Sequence, residues 1–118
     1  CCINKFFVEY YELENGTCTV EEFILKQYNK MQAKIFKNLE FLKLEEINLE
    51  AIFIHIEDGI FEIRNKVGNY ITGIFYFFVI GQKIILTNGF IKKTQKTPKA
   101  EIALAKKYRN DYLNREEI

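Results

Sequence analysis

The chain has 118 residues, 48% hydrophobic and 15% aromatic, a composition that builds one folded core and excludes a disordered chain. A net charge of +1 excludes a protein held to nucleic acid by bulk charge alone. No apolar run approaches the roughly 20 residues of a membrane-spanning helix, and without a signal-peptide pattern the expected location is the cytoplasm.

The chain starts Cys1-Cys2 without methionine, which reads as a trimmed or incomplete beginning. A lipid-modified N-terminal cysteine is the remote alternative. With Cys18 there are three cysteines and one histidine, none at metal-ligand spacing. The expectation is free thiols in a reducing compartment and no zinc site. Ile3 to Tyr11 is rich in aromatic and β-branched residues and predicts a strand. Glu14-Asn15-Gly16-Thr17 is a turn signal, and Thr19-Val20-Glu21-Glu22 has the form of a capping box with Thr19 as N-cap.

The helix that follows has Phe23, Tyr28 and Met31 as inner candidates. Lys26 to Glu46 contains neither glycine nor proline, and Ile35, Phe36, Leu39 and Leu42 recur at helical spacing. One long helix or a hairpin broken near Asn29 both satisfy this pattern; the hairpin is favoured because it covers one sheet face. Lys34, Lys37, Glu40 and Glu45 form its solvated side. Ile47 to Ile56 holds alternating apolar residues and the lone His55, and Glu57-Asp58-Gly59 marks a turn.

Ile60 to Arg64 alternates with period two, so Ile60, Glu62 and Arg64 share one face and Phe61 and Ile63 the other. Gly68-Asn69 turns a hairpin. The unbroken apolar run Ile74 to Ile80 predicts a central strand buried on both faces. Gly81-Gln82 is a second turn, and Ile84 to Ile91 is the last strand. Thr97 is placed as an N-cap and Pro98 at the first helical position. The closing helix turns Ile102, Ala105, Tyr108 and Tyr112 inward, with Lys99, Lys106 and Arg109 outward. The expected class is α+β in one domain over 1–118, in the order β-α-α-β-β-β-α, with no internal repeat or linker.

Charge is uneven along this order. Residues 1–62 carry six lysines against twelve acids, and residues 82–118 carry nine bases against four acids. A basic C-terminal third suits a polyanion. Arg64 is the first candidate to balance charge on a phosphate, because arginine presents a bidentate fork and a strand holds it rigidly. Its competing role is an ion pair with Glu62. His55, with its near-neutral reference pKa, is a candidate acid or base, weighed against a half-buried histidine bonded to a backbone carbonyl. Tyr70 and Tyr76 are candidates to stack a base, Tyr76 competing with a place in the core.

Three segments together resemble the phage Gp49-like proteins, the HigB-type toxins of the RelE/ParE superfamily. They are Gly59-Ile60-Phe61-Glu62-Ile63-Arg64, Phe75-Tyr76-Phe77-Phe78, and Asn88-Gly89-Phe90-Ile91-Lys92-Lys93-Thr94-Gln95-Lys96-Thr97-Pro98 with Glu101-Ile102 and Ala105. The resemblance covers about residues 50–112. It implies a RelE-like fold, a small antiparallel-rich twisted sheet with an N-terminal helical hairpin and a C-terminal helix. It also implies a ribosome-dependent, metal-independent endoribonuclease that cuts mRNA, without a small-molecule cofactor or membrane. Its partners are the ribosome, mRNA and a co-encoded antitoxin, usually a small helix-turn-helix protein.

In such enzymes the RNA 2′-hydroxyl attacks the adjacent phosphate, so the implied catalytic set is Arg64, Lys92, Lys93 and His55. Lys66, Lys96, Lys99, Lys106 and Tyr70 are the implied RNA or ribosome contacts. Relatives place an arginine where this chain has Gly73 and often a histidine where it has Asn88. The same scaffold also carries ParE-like toxins that inhibit DNA gyrase without cutting RNA, and a degenerate toxin would bind only its antitoxin.

Overall fold

The structure, a computed structural model, describes residues 6–43, 53–93 and 96–116. Its elements are β1 (Phe7–Tyr10), α1 (Thr19–Leu25), α2 (Asn29–Lys43), β2 (Phe53–Glu57), β3 (Ile60–Val67), β4 (Tyr70–Val79), β5 (Lys83–Lys92) and α3 (Lys99–Glu116). They form a five-stranded sheet in the order β1-β5-β4-β3-β2, with β1 parallel to β5 and the other pairs antiparallel. The α+β class, the helical hairpin and the C-terminal helix are as the sequence predicts. The strand count is not, because four strands rather than three lie between α2 and α3. The additional β2 is a short edge strand closed by Asp58-Gly59, where both residues have positive φ, the type I′ geometry that suits a hairpin. Cys1, Cys2, Ile47, Thr94 and Gln95 lie outside the described residues.

Two cores follow from the alternation of side chains across the sheet. Val20 and Ile24 of α1 and Met31, Ile35 and Leu39 of α2 pack on one face, against Ile63 and Ile74 among others. Ile102 and Ala105 of α3 pack on the other, against Ile60, Phe75, Phe77 and Phe90. The central run of β4 is buried from Ile74 to Phe77, but Phe78 is exposed and Ile80 stands at the hairpin tip, 98% exposed. The sequence run therefore overshoots the buried strand, since an apolar residue in a tight turn has no neighbour to cover it. Tyr28 and Phe36, expected inward, are also exposed.

The hairpin breaks where it was expected, with α1 ending at Leu25 and α2 starting at Asn29. Both other helix starts differ from expectation by one residue, for the same reason. Cys18 caps α1, its Sγ accepting from the Glu21 amide at 3.4 Å, while the Thr19 hydroxyl donates to the Thr87 carbonyl at 2.7 Å. At α3 the Pro98 carbonyl accepts from the Ile102 amide at 3.2 Å, so the first helical residue is Lys99. In each case the threonine hydroxyl is taken by a tertiary partner and is not spent on the cap.

Candidate functional site

The face of the sheet that carries α3 also carries a cluster of charge at one end. Glu62, Arg64 and Lys66 alternate along β3 and point to that face, and Lys92 ends β5 on the same face, in the row Lys66–Ile71–Lys92. Glu62 is fully buried, an expensive place for a carboxylate unless it is paired. Its Oε2 accepts from Arg64 Nε at 3.0 Å, and Lys92 Nζ lies 3.4 Å from both carboxylate oxygens. The Thr97 hydroxyl donates to Glu62 Oε1 at 3.1 Å and accepts from Lys92 Nζ at 3.1 Å. One buried acid thus gathers a strand arginine, a lysine from a strand that is not its neighbour, and the residue before Pro98.

Two cations against one carboxylate leave the cluster positive, and exposure decides which cation meets solvent. The Lys92 side chain is 2% exposed and that of Arg64 29%. Burial pushes the Lys92 pKa below its ordinary value, the Glu62 carboxylate opposes that shift, and the Arg64 charge adds to it. Lys66 is exposed on the same face, Lys96 lies in an exposed bend beside Thr97, and Lys99 is exposed at the start of α3. Arg64 therefore sits at the rim of a basic patch, with Lys92 beneath it.

The other residues singled out in the sequence lie elsewhere. Lys93 is exposed, one residue past the end of β5, and its side chain makes no hydrogen bond or ion pair among the described residues. His55 pairs with Phe61 across β2 and β3 and meets its ring edge-on at 4.9 Å, on the α2 side of the sheet. Tyr70 is on that side too, its hydroxyl donating to Gln27 Oε1 at 2.7 Å. Tyr76 is a core residue, 2% exposed, its phenol pushed to a higher pKa by burial. Lys106 pairs with Glu57 at 2.6 Å, and Arg109 binds the Asp58 carbonyl and carboxylate, so both clamp the β2–β3 turn to α3.

Gly73 and Asn88 flank the cluster. Gly73 stands between Arg64 and Phe90 in register, and the Phe90 ring lies over it: a Cβ there would be 2.5 Å from Phe90 Cζ. Asn88 is buried and donates to the Glu101 carbonyl at 3.2 Å and Oε1 at 2.9 Å, which ties the first turn of α3 to β5. Sequence reasoning missed Glu62 as the centre of the site and Thr97 as part of it. The Glu62–Arg64 alternation beside buried Ile60 was the available signal for the first.

An open cleft of about 500 Å³ beside Tyr11, Tyr108, Asp111 and Arg115 shares no residue with this cluster. Within it Arg115 pairs with Asp111 and Tyr11 donates to Asp111 at 2.6 Å. Among the described residues no group of three or more His, Cys, Asp or Glu is placed to hold a metal ion, and no helix is long and apolar enough to cross a membrane.

Residues 22–110 match the family described as phage-derived protein Gp49-like. The match runs from α1 into α3 and contains the whole Glu62–Arg64–Lys92–Thr97 cluster. No curated protein matches the chain.

Proposed function

Since the chain belongs to the phage-derived Gp49-like family, the family of the HigB-type toxins, we propose that this toxin is an mRNA endoribonuclease that works on the ribosome and is neutralised by a co-encoded antitoxin. The observation that carries this reading is Arg64 at the rim of the basic patch, fixed from behind by a buried carboxylate. In-line cleavage forms a bond from the 2′-oxygen to phosphorus as the 2′-hydroxyl gives its proton to solvent, and breaks the bond to the 5′-oxygen, which takes a proton from solvent. The products are a 2′,3′-cyclic phosphate and a 5′-hydroxyl. Charge accumulates on the non-bridging oxygens, and the terminal nitrogens of Arg64 are the donors placed to meet it. Lys92 adds positive potential from below, while Lys66, Lys96 and Lys99 hold the RNA backbone.

Purified protein is to be incubated with translating ribosomes and mRNA, beside Arg64→Ala. Cleavage by the wild type and a loss of about 100- to 1000-fold in the variant are expected, the range seen when one transition-state donor is removed. Full cleavage by Arg64→Ala would remove the site assignment.

A second reading has one specific observation in its favour. The Phe90 ring occupies the space over Gly73, where relatives carry an arginine. A non-cutting toxin of the ParE kind fits that loss. It predicts inhibition of gyrase supercoiling and intact mRNA in the same pair of assays.

A further inference from the structure

We infer that Glu62 is the positioning residue of this site: its buried carboxylate grips Arg64 by Nε and so aims the two terminal guanidinium nitrogens at the incoming phosphate. The inference rests on the reading of Arg64 as the phosphate contact. An arginine on an exposed strand face samples many rotamers, and each one frozen on binding lowers affinity. Here the guanidinium is planar and its Nε–H is held by Glu62 Oε2 at 3.0 Å. The terminal nitrogens, which carry four of its five N–H donors, make no hydrogen bond among the described residues. They are left for a bidentate ligand such as a phosphate.

Glu62 can hold this pose because it is itself held. Lys92 Nζ lies 3.4 Å from both its oxygens and the Thr97 hydroxyl donates to Oε1 at 3.1 Å, so the free rotation of a carboxylate is removed. The Arg64 pair uses Oε2, while Thr97 takes Oε1. Removing the carboxylate leaves Arg64 and Lys92 as uncompensated neighbours, free to turn apart. A purely structural Glu62 would instead affect folding and leave the guanidinium pose and the chemistry of folded molecules unchanged.

The test combines a spectroscopic signature with kinetics. In wild-type protein the Arg64 Nε–H resonance is followed by NMR during titration with an uncleavable 2′-O-methyl RNA oligonucleotide. A slowly exchanging Nε–H that persists through the titration, while the terminal nitrogens shift, is expected. An Nε–H that exchanges freely in the wild type overturns the inference, whether or not any variant folds.

In Glu62→Gln the signal is lost, oligonucleotide binding weakens about tenfold with a matching rise in KM, and kcat falls about 10- to 100-fold. Glu62→Asp recovers part of each. The titration of Lys92, read from its side-chain carbon shifts, moves lower in Glu62→Gln, because Glu62 and Arg64 are the charged groups acting on it and Glu62 alone favours its protonation. A folded Glu62→Gln protein with wild-type kcat and an intact Arg64 signal overturns the inference. If the wild type cuts no RNA, the cleavage reading fails, and the NMR and binding measurements still decide the role of Glu62.

Discussion

Gly73 is one of two positions, with Asn88, singled out in the sequence as departing from the resembled pattern. A side chain there has no room, because its first carbon would meet the Phe90 ring, which also packs on Phe75 with ring centres 4.8 Å apart. Gly73→Arg is therefore expected to lower stability by about 1–3 kcal/mol, the usual effect of overpacking, and not to raise cleavage. Urea denaturation measures the first effect. Phe90→Ala in the same chain opens the space, so the double variant is expected to lose less than the sum of the two single losses. Equal stability of Gly73→Arg and wild type would show that Phe90 yields freely.

At this scale the sequence was informative about Arg64 and Lys92, since alternation and charge mark both. The Glu62–Arg64 ion pair was legible as the competing role of Arg64, because the two residues share one face of one strand. The grip of Lys92 and Thr97 on Glu62 was not, because it depends on β3 and β5 being brought together across β4, a relation that local spacing does not encode. His55, Tyr70 and Lys106 carry suitable chemistry, yet packing directs them to other faces or other partners.

Elements were legible wherever one periodicity dominated. The amphipathic α2, the alternating β3 and the turn at Gly68-Asn69 were found, and the positive φ of Gly68 matches the first position of a type II′ hairpin. Edges and ends were less so: β2 is a short edge strand, and both capping threonines were drawn into tertiary bonds. The seating of α2 on the sheet depends on a buried polar contact, Asn38 Nδ2 to Asn65 Oδ1 at 2.8 Å, with Asn65 also donating to Thr72 and the Ile63 carbonyl at 3.3 Å each. Asn38→Leu strands the Asn65 oxygen in a dry interior and is expected to cost about 1–3 kcal/mol. Adding Asn65→Leu removes the stranded oxygen but also takes a donor from Thr72 and the Ile63 carbonyl, so the double variant should recover part of the loss, its total falling short of the sum of the two singles. A double variant weaker than the sum of the two singles would contradict this.

For the whole molecule, α3 is bound to the start of the chain through ionisable groups, so their titration bears on the stability of the fold. Burial and the bond to Asp111 push the Tyr11 phenol up to about 12 from its ordinary 10.0. An acid whose pKa is raised by folding adds no pH dependence while both states are protonated. Above the unfolded value the unfolded chain ionises first and the fold loses stability, until the folded group ionises too. The stability advantage of wild type over Tyr11→Phe should therefore shrink as pH rises from 10 to about 12, read from thermal midpoints. A constant difference would contradict the assignment.

Alternation along β3 and the register of β3, β4 and β5 place Arg64, Lys66 and Lys92 on one face of the sheet, and the central claim is that this face cuts RNA. The most direct measurement is the mapping of mRNA 5′ ends in cells after induction of the wild type and of Arg64→Ala. The account predicts new ends within translated codons for the wild type only, with growth arrest lost in the variant. Arrest without new ends, or the same ends with Arg64→Ala, would contradict it.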